Sequence, residues 1–137
     1  MKKNYLQMLV VLMTAILSVG VISCSKDDDH NNPLVGTKWV CYNHPVASIK
    51  SSIEGETYVF VIEFTSNTGR NSYFQSVKTG EREYLVDSDG LYEYVDDKTV
   101  IFIAQDRTRT TWYFLTPTEL CNKKSKSESG ATIYKRQ

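Results

Sequence analysis

Between Tyr58 and Phe64 the chain alternates with period two. Tyr58, Phe60, Ile62 and Phe64 fall on one side, and Val59, Val61 and Glu63 on the other. Successive side chains of a strand point to opposite faces, so this run predicts a β-strand that is apolar on both faces. The period returns downstream. Val100 and Phe102 alternate with Ile101 and Ile103, Trp112 and Phe114 alternate with Tyr113 and Leu115, and Tyr92 and Tyr94 share a face. Ser66-Asn67-Thr68-Gly69, Lys78-Thr79-Gly80, Asp87-Ser88-Asp89-Gly90 and Asp96-Asp97-Lys98 supply hairpin-turn chemistry between the runs. Strands are therefore expected near 36–43, 56–65, 70–78, 82–87, 90–95, 98–105, 108–116, 118–122 and 131–136, with some neighbours merging to a total of about eight. Short strands at this spacing imply an all-β fold, an antiparallel sandwich or barrel. Strands that are apolar on both faces suit a small up-and-down barrel of about eight strands, filled inside or just wide enough for one ligand.

The one helical signal is Pro45 to Ile53. Val46, Ile49 and Ile53 are spaced i, i+3, i+7, and Pro45 suits a first helical position. A short helix or ordered loop there would join the first two strands, where in a barrel it can cover one mouth; a plain surface loop is the alternative. Cys41, on the first expected strand, and Cys121, near the last hairpin, would be neighbours if the two ends of the sheet meet. A bridge between them would close a loop of about 80 residues and contribute ~4 kcal/mol through chain entropy; two buried free thiols are the alternative. Asp87 to Gly90 fails as a calcium loop, because the register would demand an acid at Leu85 and a glutamate at Asp96. Metal-ligand spacings, nucleophile elbows and phosphate loops are not seen, and neither an enzyme nor a bound cofactor is expected.

The first 33 residues carry a different message. Lys2 and Lys3 precede an uncharged stretch from Leu6 to Ile22, whose greasiest part is Leu9 to Met13; small residues, Gly20 and Ser23, lead to Cys24. This is the layout of a secretory signal peptide over residues 1–23. A spanning helix would need about 20 apolar residues, and Gln7, Thr14 and Ser18 interrupt this one. Residues 24–33 hold no apolar side chain beyond Pro33 after Cys24, and should form a disordered tether. With Lys2 and Lys3 removed, 14 basic residues face 16 acidic ones. That balance argues against a nucleic-acid partner.

Two resemblances give these readings more definition. Val21-Ile22-Ser23-Cys24 resembles a bacterial lipobox, and Lys26 with Asp27, Asp28 and Asp29 resembles the sorting signal of Bacteroidetes surface lipoproteins. The resemblance implies acylation of Cys24, a lipid-anchored protein of the outer membrane and exposure at the cell surface, with the periplasmic face as alternative; two or more acyl chains make a stable anchor. A plain secreted protein is the rival. Within 34–137, Leu34-Val35-Gly36-Thr37-Lys38-Trp39, Ile62-Glu63-Phe64-Thr65-Ser66, Gly90-Leu91-Tyr92-Glu93-Tyr94 and Ala131 to Arg136 resemble strands of lipocalin-like, calycin-type domains. That family implies an up-and-down barrel, with Arg136 packing over Trp39. It also implies a small apolar or amphipathic ligand contacted by Tyr58, Phe60, Phe64, Phe102, Trp112 and Phe114, unless those rings simply fill the core. A structural or interaction lipoprotein is the second reading. It would meet an envelope protein or glycan through exposed Tyr73, Tyr84, Tyr92 and Tyr94, since tyrosine is apolar at one end and hydrogen-bonding at the other.

Overall fold

The alternating runs become eight antiparallel strands, joined in chain order and closed into a barrel. The computed structural model describes residues 32–137; Cys24 and Lys26 to Asp29 lie outside them. The strands are β1 Lys38–Cys41, β2 Tyr58–Phe64, β3 Gly69–Ser76, β4 Arg82–Tyr94, β5 Thr99–Ile103, β6 Arg109–Thr116, β7 Glu119–Cys121 and β8 Ile133–Arg136, with one helix, α1, over Pro45–Glu54. Every strand pairs with its chain neighbours, and β1 closes on β8 through Trp39–Arg136 and Val40–Lys135. This is the up-and-down barrel that the sequence predicted.

Period two decides what goes inside. Trp39 and Cys41, Ile62 and Phe64, Tyr92, Val100 and Phe102, Leu120 and Tyr134 form one buried cluster, with Phe60, Tyr94, Trp112 and Phe114 packed against it. The residues between them face out. Val40, Val59, Val61 and Tyr73 make a second, smaller cluster there, where the Arg82 guanidinium lies 4.8 Å from the Tyr73 ring centre.

One turn signal was misleading. Asp87 to Gly90 lies inside β4, with Asn71 opposite Asp89 and Arg70 opposite Gly90. Two expected strands, 82–87 and 90–95, are therefore one, and the register slips between Asn71 and Tyr73, where the extra residues lie on β4, between Tyr84 and Asp89. Gly90 is needed for close approach rather than for a turn: a Cβ there would stand 2.8 Å from the Arg70 guanidinium carbon.

The two ends of the barrel are finished differently. At the lower end Asn32 and Pro33, expected in the tether, belong to the domain. Asn32 Nδ2 donates to the Tyr92 hydroxyl (2.8 Å) and to the Asn67 carbonyl (3.2 Å), and the Tyr92 hydroxyl donates in turn to the Ser66 carbonyl at 2.6 Å. At the upper end α1 lies against the rim. Its Gly55 cap has φ +69° and donates to the Ser51 carbonyl. The helix is present as expected, but its apolar stripe faces away: Val46, Ile49 and Ile53 are exposed, and Ala47 is the buried residue. Polar contacts hold the inner face. Ser51 Oγ accepts from the Tyr58 amide at 2.9 Å. Lys50 pairs with Glu54 and Glu83, and its ammonium lies 4.6 Å from the Tyr58 ring centre.

The cysteine bridge fails for a topological reason. Both thiols are free and buried. Cys121 sits on the penultimate strand, so β8 stands between it and Cys41. Two strand spacings separate Cα atoms by about 10 Å, against the roughly 7 Å limit of a disulfide. The faces differ too: Cys41 belongs to the interior cluster, whereas Cys121 alternates with inward Leu120. Burial raises the Cys41 thiol above its ordinary pKa.

Tyr92→Phe removes a buried hydroxyl that serves two partners, and should lower unfolding free energy by about 1–2 kcal/mol in urea; Tyr84→Phe, at an exposed ring, should change it by less than about 0.5 kcal/mol. Denatured, unreduced domain should take up two alkyl groups by mass spectrometry, at Cys41 and Cys121, and the native domain far less; a mass showing neither alkylated after denaturation would restore the bridge.

Candidate functional site

The lower end of the barrel is open. A pocket of about 370 Å³ lies between the N-terminal segment and the β6–β7 turn, bounded by Leu34, Trp39, Tyr94, Asp97, Phe114 and Arg136. Trp39 forms its floor. Its indole Nε1 donates to Thr37 Oγ1 at 2.9 Å, and that hydroxyl donates to the Leu34 carbonyl at 2.5 Å. The ring is thus fixed with its polar edge satisfied and its apolar face toward Phe114, 5.8 Å away between centres. Arg136 is the cross-strand partner of Trp39. The expected stacking of its guanidinium on the indole is not among the cation–π contacts of the described residues; the side chain is exposed and reaches the Pro33 carbonyl at 3.5 Å. Burial, then the charges of Asp97 and Asp96, push the Tyr94 phenol above its ordinary pKa, so it stays a neutral hydrogen-bonding group. The pocket combines apolar walls with one charge of each sign and one phenol, the composition of a small-molecule site.

A second feature lies inside the wall. Arg70 shares the inward face of β3 with Ser72 and Phe74, opposite Phe64, Ile62 and Phe60. Its guanidinium carbon lies 4.7 Å from the Phe102 ring centre, Nη1 donates to Ser72 Oγ at 2.8 Å, and Nε is buried without an acceptor. Phe102 stands 5.0 Å from Trp112, and Trp112 5.3 Å from Tyr134. Burial raises the Tyr134 phenol well above its ordinary pKa, while the Arg70 charge pulls it down.

The six expected ligand-lining rings divide among several places. Phe114 alone borders the lower pocket. Phe102 lies against Arg70, with Trp112 next to Phe102. Phe60 stacks on His44 at 4.2 Å and Phe64 is core. Tyr58 lies by α1, its hydroxyl donating to Glu54 at 2.7 Å, which holds its pKa up at about 12. The tyrosine surface is overturned. Tyr73 and Tyr92 are buried, Tyr94 turns into the pocket, and Tyr84 alone is exposed. Period two accounts for it: Tyr92 and Tyr94 share the inward face, and Tyr73, though outward, is covered by Arg82 and Tyr84 and donates to Glu63 at 2.7 Å.

Sequence reasoning missed Arg70, Tyr94 as a pocket residue, and Asp97. Arg70 had one usable signal, its place two residues before Ser72 and four before Phe74 on a single strand face. Among the described residues no group of three or more His, Cys, Asp and Glu side chains stands ready for a metal. No protein-family model matches the chain, and no curated protein or solved structure does either.

Proposed function

We propose that the chain is a lipid-anchored envelope protein, acylated at Cys24, whose barrel takes up a small apolar or amphipathic molecule at its lower end. The pocket of about 370 Å³ at the mouth of the barrel, beside the buried Trp39, carries this reading. An aliphatic or aromatic body would lie against Phe114 and Leu115, backed by the buried Trp39 and Leu34, and a polar end would meet Tyr94, Asp97 or Arg136. The basis for the anchor is the sequence from Lys2 to Asp29, and the acidic run after Cys24 supports the outer face of the outer membrane.

The rival reading, an interaction lipoprotein, no longer has its tyrosines. It would use a different surface, the outward stripe of α1 formed by Val46, Ile49 and Ile53, which are 50–79% exposed. An apolar stripe of that kind is what a partner would cover.

Titration with an uncharged naphthylamine dye separates the two. The pocket reading predicts saturable one-to-one binding with energy transfer from the tryptophans, weakened about tenfold, ~1.4 kcal/mol, by Thr116→Trp at the pocket border. Dye that fails to saturate, or binds Thr116→Trp as well as the parent, would remove the pocket from consideration.

A further inference from the structure

We infer that the barrel holds a second site, centred on Arg70, for the anionic head of an amphipathic molecule. Arg70 does not border the lower pocket, so the inference does not depend on that pocket being filled.

The argument begins with charge. A guanidinium stays protonated in a protein, and taking it out of water is costly unless a counter-charge or acceptors replace the lost solvent. Among the described residues the salt bridges involve Lys50, Arg82, Arg109 and Lys126; none involves Arg70. Its one side-chain hydrogen bond goes to Ser72 Oγ, and its buried Nε has no acceptor. The side chain keeps part of its surface accessible, and burial of the rest pulls its pKa down, with the Tyr134 phenol set against that. The fold nevertheless makes room for the cation: Gly90 leaves open the space its guanidinium occupies on the neighbouring strand.

The surroundings say what kind of anion fits. The guanidinium lies on Phe102, and Trp112 and Tyr134 follow in line at 5.0 and 5.3 Å. Trp112 and Phe60 face inward yet keep part of their surface accessible. Tyr134, 2% exposed, closes the row. A carboxylate or sulfate oxygen can accept from Nε and a terminal N–H of Arg70 together, a fork that matches the planar guanidinium. The aromatic row then offers a wall for an apolar tail.

Calorimetric titration of the domain with decanoate, decanol and acetate tests this. Decanoate should bind at least tenfold more tightly than either decanol or acetate. Arg70→Gln and Gly90→Ala, the second acting by displacing the guanidinium, should each bring decanoate down to the level of decanol, while Thr116→Trp leaves the preference intact. Arg70→Met should keep or raise the urea midpoint of the ligand-free domain, since it removes an uncompensated charge. Equal binding of decanoate and decanol by the parent, acetate binding as tightly as decanoate, or a preference that survives in Arg70→Gln would each overturn the proposal. A Gln variant that has unfolded is recognised by its urea curve, and Gly90→Ala with Thr116→Trp then decides: a preference that survives Gly90→Ala, or is lost in Thr116→Trp, overturns the proposal.

Discussion

Closure of the sheet between Lys38–Cys41 and Ile133–Arg136 is the constraint on which everything else hangs. Both strands have four residues, and β7 beside them has three. Left open, this seam would expose unpaired backbone on two edges. Closed, it satisfies those groups and brings Trp39 opposite both Ile62 and Arg136. The Gln137 amide extends the seam by donating to Lys38 at 2.9 Å, and on the other side of β1 the Gly36 amide donates to Phe64 and the Phe64 amide to Thr37, at 2.8 and 3.0 Å. Trp39, 1% exposed and hydrogen-bonded through its indole, is the large side chain that this closure buries. It is also the floor of the lower pocket, so the seam that makes the barrel also makes the site.

The two ends of the barrel then divide the work. The upper end is covered by α1, whose inward face is polar and held by Lys50, Ser51 and Glu54. The lower end is drawn together by Tyr92, which gathers Asn32 and the β2–β3 turn, yet it stops short of filling the space beside Phe114. An interior crossed by aromatic rings would ordinarily be inert. Arg70 makes it otherwise: among the described residues no salt bridge involves it, and a cation so placed on an aromatic wall is an arrangement that stability alone does not favour.

Much of the fold was legible because period two is a strong signal in strands that are apolar on both faces. The runs at Tyr58–Phe64, Val100–Ile103 and Trp112–Leu115 all became strands. The failures share one cause: a local pattern cannot report what lies across the sheet. Asp87 to Gly90 has turn chemistry, but Gly90 is there to admit Arg70 from the next strand. Val46, Ile49 and Ile53 have helical spacing, but Lys50 and Ser51 find partners on the rim and turn the stripe outward. Cys41 and Cys121 sit near the two ends of the domain, but one intervening strand and opposite faces part them. The candidate site was legible only in Phe114, Phe102 and Trp112. Tyr94 and Asp97 belong to a pocket that exists only once the lower turns are assembled.

The central claim is that this barrel carries a molecule. Native mass spectrometry of the mature protein, extracted from the membranes of cells that make it, addresses that claim most directly. The expected spectrum shows a chain beginning at acylated Cys24 and a further, dissociable mass of a few hundred daltons that gentle collisional activation removes. A spectrum of acylated chain alone, with no adduct under conditions that keep other protein–ligand complexes together, would contradict the account.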